Sequence, residues 1–198
     1  MARVTGVKEK VHSPLYDAFF VPESEEEEED FSASMTDPRM LRFFVDVQNK
    51  TRLETNLQNA GQLPSLNSFE ARAMRVVIDA PAPSGDDDDG ITSAEFTSLV
   101  IFNSVSSLIV GEKVMLEVPT FWLPGGSGVQ VGDGTVSNHG VPDPMATFRF
   151  AEPVAIEPQQ NFRVEMLFPN DVPEDVGTAR GPIRIWVALD GYYTRDVQ

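Results

Sequence analysis

Cysteine is absent from this chain of 198 residues. That excludes a disulfide framework, cysteine-ligated metals and a thiol nucleophile together. Long hydrophobic runs are missing as well. The longest apolar stretches, around 99–102 and 108–110, fall far short of the ~20 residues needed to cross a bilayer. Arg3, Lys8 and Lys10 near the N-terminus are followed by no apolar run, so a secretory signal is not expected. Basic clusters are scarce too. Lys and Arg total 15 against 31 Asp and Glu, for a formal charge of −16. A general nucleic-acid binder needs clustered cations to hold phosphates, so specific nucleic-acid binding is not expected.

The acidic charge is concentrated. Glu23, five consecutive glutamates at 25–29 and Asp30 form one run, and the aspartates at 86–89 form another. Outside them the balance is that of an ordinary surface. Arginine outnumbers lysine, which fits a high-salt source; two solvated acidic loops on a normal domain fit equally.

A boundary is expected at Asp37–Pro38. Residues 1–37 read as a flexible acidic N-terminal arm, because like charges at the density of 23–30 repel one another and oppose compact packing. Residues 38–198 read as one β-sandwich domain. A chain of this length buries roughly 70% of its unfolded surface in a single core. Within the arm, 13–22 (SPLYDAFFVP) is too apolar for a plain linker. Leu15, Tyr16, Phe19, Phe20 and Val21 require a cover, either the domain's own core or a neighbouring subunit.

From Met40 onward the pattern is β. Segments 41–47, 51–57 and 69–78 read as strands, the last with Phe69, Ala71 and Ala73 on one face and Glu70 and Arg72 on the other. Thr92 or Ser93 offers a cap for one short helical turn within 91–99. Strands are expected again at 99–103, 107–110 and 113–118, with Gly111 at a tight turn. Segment 119–144 contains six glycines and reads as a long loop; loops above about 12–15 residues are usually functional or interfacial. Strands resume at 146–150, 154–156, 162–168 and 183–189. In 162–168, Phe162, Val164, Met166 and Phe168 share a face opposite Arg163 and Glu165. About eight short strands with Gly/Pro breaks imply two packed sheets, and the long loops favour a single jelly roll.

No catalytic residue, metal ligand or cofactor is expected from the motifs. His12 and His139 are far apart, and Ser127 in GGSGV lacks the spacing of a nucleophile elbow. The segment GDDDDGITSAEF resembles a calcium loop, but with Gly90 at the invariant glycine the last ligand position falls on Phe96 and Glu95 comes one residue early. Phosphate-cradling glycine motifs are absent. Phe121 and Trp122, in PTFWLP, remain. Three uses are open to them: a sugar-stacking platform, core plugs at the end of the sandwich, or an anchor for a neighbouring subunit.

Two stretches carry a resemblance. Residues 51–77 read TRLETNLQNAGQLPSLNSFEARAMRVV, with Thr55-Asn56-Leu57, Gly61-x-Leu63-Pro64 and Ser68-Phe69 leading into a strand. The ending PIRIWVALDGYYTRDVQ supplies a last strand and a short C-terminus. Together these resemble jelly-roll capsid proteins of tailless icosahedral viruses and bacteriophages, especially those enclosing a membrane. The resemblance implies a virion protein, made in the host cytoplasm, with upright sandwiches packed side by side. It also implies an arm reaching under neighbours or towards an internal membrane. Many members carry two jelly rolls; this chain has room for one, so a second capsid protein is the expected partner.

The expectation is therefore a non-enzymatic capsid subunit that self-associates, without a small-molecule substrate. Its subunit-interface candidates are Leu15, Tyr16, Phe19, Phe20, Phe121 and Trp122. A carbohydrate-binding or adhesion module using Phe121 and Trp122 is the alternative. A hydrolase pairing strand acids such as Glu117 and Glu165 is a third reading.

Overall fold

The alternation in FRVEML is realised as a strand with Phe162, Val164 and Met166 buried and Arg163 and Glu165 turned outward. A computed structural model describes residues 8–23, 30–80, 91–125, 129–131, 137–139 and 145–196. In chain order the strands are β1 (Lys8–His12), β2 (Leu15–Val21), β3 (Met40–Phe43), β4 (Ser68–Asp79), β5 (Val105–Val110), β6 (Lys113–Pro119), β7 (Val129–Val131), β8 (Ser137–His139), β9 (Arg149–Ile156), β10 (Phe162–Leu167) and β11 (Ile183–Asp196). Helix α1 spans Ser93–Phe102, a 3-10 turn Thr120–Trp122, and a short helix α2 Glu174–Gly177.

Two antiparallel sheets form the sandwich. One runs β1-β11-β4-β9, with β2 also on β11; the other runs β3-β10-β5-β6. Leaving out β1 and the separate β7–β8 hairpin, the remaining strands, counted in chain order, lie in the orders 1-8-3-6 and 2-7-4-5. That is the double-sheet jelly roll. Among these strands only β5 and β6 are joined within a sheet. Their two-residue turn begins at Gly111, whose φ of +59° is a conformation that glycine adopts without a Cβ penalty. Every other connection crosses between the sheets, so burial of both inner faces enforces the order.

The core lies between those faces. Leu41, Phe43, Leu108, Val164 and Met166 from one sheet meet Phe69, Met74, Val76, Ile185, Val187 and Leu189 from the other. Helix α1 closes one end. Its Phe96 ring meets Phe31 edge-on at 5.6 Å, and Phe31 meets Phe19 at 5.4 Å.

Several expectations are corrected. The boundary at Asp37–Pro38 does not separate an arm from the sandwich in the described part of 1–37. β2 is a strand of the first sheet, with Leu15, Ala18 and Val21 buried, because its alternating apolar residues complete the face of β11. Phe31 is also in the core. Segment 99–103 is helix, not strand. Thr92 caps α1 in a reciprocal box with Glu95, and the helix runs ten residues, overriding the β-preference of Val100 and Ile101. Strand 41–47 stops at Phe43, because Phe44 has a φ of +69°. Segment 51–57 is turns, joined to β2 by a bridge between Asp17 and Thr55. The two strands expected across 146–156 are one, β9, and the last strand continues to Asp196. The acidic stretches 24–29 and 86–89 lie outside the described residues.

Candidate interaction surface

Thr120 and Leu123 are wholly buried, one turn of 3-10 helix apart. At three residues per turn such positions share a face. Thr120 Oγ1 lies 2.8 Å from the hydroxyls of both Ser104 and Ser106, which anchors the turn to β5. With those two positions inward, Phe121 and Trp122 must point out; they are 44% and 51% exposed. Phe102, the last residue of α1 and 66% exposed, stacks on Phe121 with ring centroids 5.7 Å apart. Trp122 meets Phe121 at 6.2 Å and Phe148 at 5.7 Å, and Phe148 meets Phe150 at 6.4 Å. Five rings thus form one connected cluster, exposed at Phe102, Phe121 and Trp122 and half-buried at Phe148 and Phe150. Met145, 90% exposed, precedes Phe148 in the chain.

A second apolar feature lies at the same end of the sandwich. The register aligns Met40 with Leu167, Leu167 with Val105, and Val105 with Pro119, one residue from each strand of the second sheet. Leu167 and Pro119 are exposed and Met40 and Val105 half-buried. Two members of the row adjoin the rings in the chain: Val105 lies three residues after Phe102, and Pro119 two residues before Phe121.

The remaining interface candidates behave differently. Leu15 is in the core. Tyr16 is half-buried; its hydroxyl donates to the Arg52 carbonyl at 2.5 Å, and its amide donates to Asn56 Oδ1 at 3.0 Å. Phe19 packs on Phe31, and the Arg184 guanidinium lies 4.6 Å over the Phe20 ring. Among the described residues no ring contact joins Tyr16, Phe19 or Phe20 to Phe121 or Trp122.

A flat sugar platform needs an open aromatic face. One face of Phe121 is covered by Phe102 at an interplanar angle of 27°, and Trp122 stands at 78° to Phe121. The rings are arranged as a ridge.

Glu117 and Glu165 both pair with Ser107 from opposite sides. They are therefore two strands apart on the outer face of the sheet, roughly 10 Å between backbones. Glu165 accepts from Arg163 Nε at 2.7 Å and Ser107 Oγ donates to Glu117 at 3.4 Å. His12 is on β1 and His139 on β8, in different sheets. Glu95 caps α1. Among the described residues no group of three or more His, Cys, Asp or Glu is placed to hold a metal, and no helix is long and apolar enough to cross a membrane.

The ion pair of Asp17 with Lys50 went unread in the sequence. Asp17 has no exposed side-chain surface, and Lys50 Nζ lies 3.0 Å from each of its oxygens. The Phe44 amide donates to Asp17 Oδ2 at 2.6 Å. Burial raises the carboxyl above the usual aspartate range, opposed by Lys50 and the Phe44 amide. Its signal was phase: in LYDAFFV, Asp17 falls on the same alternation as Leu15, Phe19 and Val21. Phe102 was missed because 99–103 read as a strand.

Compared with protein-family models, curated proteins and solved structures, the chain matches none.

Proposed function

We propose that the chain is a structural capsid subunit that self-associates, with copies of itself and a second capsid protein, into an icosahedral virion shell. The observation that carries the reading is the exposed group of Phe102, Phe121 and Trp122, whose rings contact one another in sequence. Large aromatics in contact with one another and left exposed are costly in water, and they are the residue types that dominate association energetics. Their position is not accidental to the fold: Thr120 and Leu123 hold the turn so that both rings project. The jelly-roll order adds a scaffold whose sides and ends are free to pack against neighbours, and the resemblance to capsid proteins supplies the assembly. The carbohydrate-binding alternative draws on the same rings, but their mutual angles of 27° and 78° give them no common plane for a sugar to lie on.

Light scattering and electron microscopy of the purified chain, alone and from its native source, test the reading. Particles or defined oligomers are expected. Phe121→Ser with Trp122→Ser should remain folded, with an unchanged circular-dichroism spectrum, and lose assembly. A parent protein that stays monomeric at high concentration and never occurs in a particle overturns the proposal.

A further inference from the structure

β1 and β2 lie end to end along the same side of β11 yet are held to it in different ways. β2 pairs with Ile183–Leu189 and sends Leu15, Ala18 and Val21 into the core. β1 pairs Lys8–His12 with Asp196–Tyr192 and buries none of its residues; Glu9 is half-buried and the other four are exposed. The break between them is built into the chain. Pro14 has no N–H to give to a ladder, although the register on β11 runs on from His12 opposite Tyr192 to Leu15 opposite Leu189, with the Ser13 amide donating to the Gly191 carbonyl at 3.3 Å. From Leu15 onward the chain is locked in the core; before Ser13 it is held by the backbone ladder and surface charge.

Those contacts are two ion pairs and one histidine–carboxylate hydrogen bond. Lys10 Nζ reaches Glu70 at 2.8 Å, His12 Nε2 reaches Asp190 at 2.7 Å, and Glu9 pairs with Arg195. Lys10 also sits 4.8 Å over the Tyr192 ring. All are partly exposed, the kind of pair that contributes little and is screened by salt. Loss of β1 would expose the backbone edge of Tyr192–Asp196, a template that an extended segment fills best. The segment that matches this edge, residue for residue, is β1 itself.

We infer that β1 is an exchangeable strand: in the assembled protein, β1 of one copy pairs with β11 of the next, pivoting at Ser13–Pro14. Exchange preserves every ladder bond and ion pair of β1, since the same residues meet in trans, and changes only the hinge. It disturbs no core, because β1 contributes nothing to the core. The inference rests on the self-assembly proposed above and names one contact by which it occurs.

The absence of cysteine makes the test clean. Glu9 and Arg195 are directly opposed, and opposed residues of antiparallel strands lie within disulfide reach. An affinity-tagged Glu9→Cys chain and an untagged Arg195→Cys chain are co-expressed, assembled and oxidised. Tagged Glu9→Cys with Glu112→Cys, in the β5–β6 turn, is the control. Exchange predicts a tagged–untagged heterodimer as the dominant cross-linked product of the first pair and not of the control. The double variant Glu9→Cys/Arg195→Cys should form chains of linked subunits on a non-reducing gel. A double variant that oxidises only within its own chain, together with no more heterodimer than the control, overturns the inference. Particle sizing of the same samples separates the two ideas: intact particles with only intrachain links sink exchange and leave self-assembly standing. A chain that is monomeric throughout sinks the proposed function.

Discussion

Lys50 Nζ is held 3.0 Å from both carboxylate oxygens of Asp17, whose side chain is wholly enclosed between β2 and the chain that follows β3. The pair fastens β2, the strand expected to belong to a flexible arm, to the rest of the sandwich. The Phe44 amide, in the left-handed region, completes the carboxylate's hydrogen bonding.

Removing the lysine leaves a buried carboxylate without its counter-charge. Lys50→Met should therefore destabilise the fold by about 3 kcal/mol at neutral pH, the low end for a broken buried pair, because Lys50 is itself partly exposed. The loss should shrink in acid, where Asp17 is protonated and needs no partner. Urea titrations of parent and variant at several pH values give the difference; a penalty that grows towards acid would contradict this account.

Asp17 also sets a pH dependence of its own. Its carboxyl is raised above 3.8 in the folded state, chiefly by burial. The folded protein thus holds this proton at pH values where the unfolded chain has lost it. The stability this group contributes is fully present below the unfolded value and declines as pH rises through the folded one. Asp17→Asn cannot titrate, so the stability of the parent relative to this variant should fall as pH rises above 3.8. A relative stability that rises instead would mean that Lys50 outweighs burial.

Two neighbouring residues should respond oppositely to truncation. Leu123 is wholly buried and Trp122 about half exposed. Leu123→Ala is expected to cost 2–5 kcal/mol, roughly the range for buried leucines, and to lower Tm clearly. Trp122→Ala should cost much less stability, and its effect should appear in association. Thermal denaturation alongside sedimentation of both variants distinguishes the two roles.

Gly191 occupies a place where no side chain fits. A Cβ there would stand 2.1 Å from the Glu70 carbonyl oxygen, which belongs to the paired strand β4. Gly191→Ala should cost about 3 kcal/mol or more, since backbone must move to relieve the contact. A Tm unchanged from the parent would show that the bulge between Asp190 and Gly191 shifts freely.

The first turn of α1 gives a smaller effect. Thr92→Ala removes the cap that accepts from the Glu95 amide, with an expected loss of about 1 kcal/mol. The Glu95 carboxyl is lowered below 4.5 by its bonds from Thr92. Its contribution is therefore present above that value and fades as pH falls, so the gap between Thr92→Ala and the parent should narrow in acid by the share owed to the bond from the Thr92 hydroxyl to the Glu95 carboxylate, and keep the share owed to the Glu95 amide. Chemical denaturation of both proteins at neutral and acid pH measures the gap, and a gap that widens in acid would contradict this account.

Strict alternation was legible where one face alone is buried. The segments 162–168 and 183–189 declare their inner faces in their spacing, and each is a strand; in 69–78 the alternation of Phe69, Ala71 and Ala73 changes phase at Met74, where the strand continues. Gly111 marked its turn because a two-residue hairpin demands a positive φ. Other segments misled for local reasons. In 99–103 the β-branched residues spoke for a strand, while the capping box at Thr92 and Glu95, ahead of them, set a ten-residue helix. In 15–21 the acidic run beyond Val21 suggested an arm, although the alternation of Leu15, Phe19 and Val21 already fitted a sheet.

What the residue order determined by itself was the material: strands of period two, turns at glycine and proline, and two acidic runs without basic clusters or cysteine. These follow from local chemistry, in which each residue's preference depends on its neighbours in the chain. What only the tertiary structure decided was which faces meet. β11 gathers β1, β2 and β4 from distant parts of the sequence, encloses Asp17 with Lys50, and leaves Phe102, Phe121 and Trp122 together at one end. Those outcomes depend on burying two sheet faces against each other, a condition on the whole chain that no local window contains.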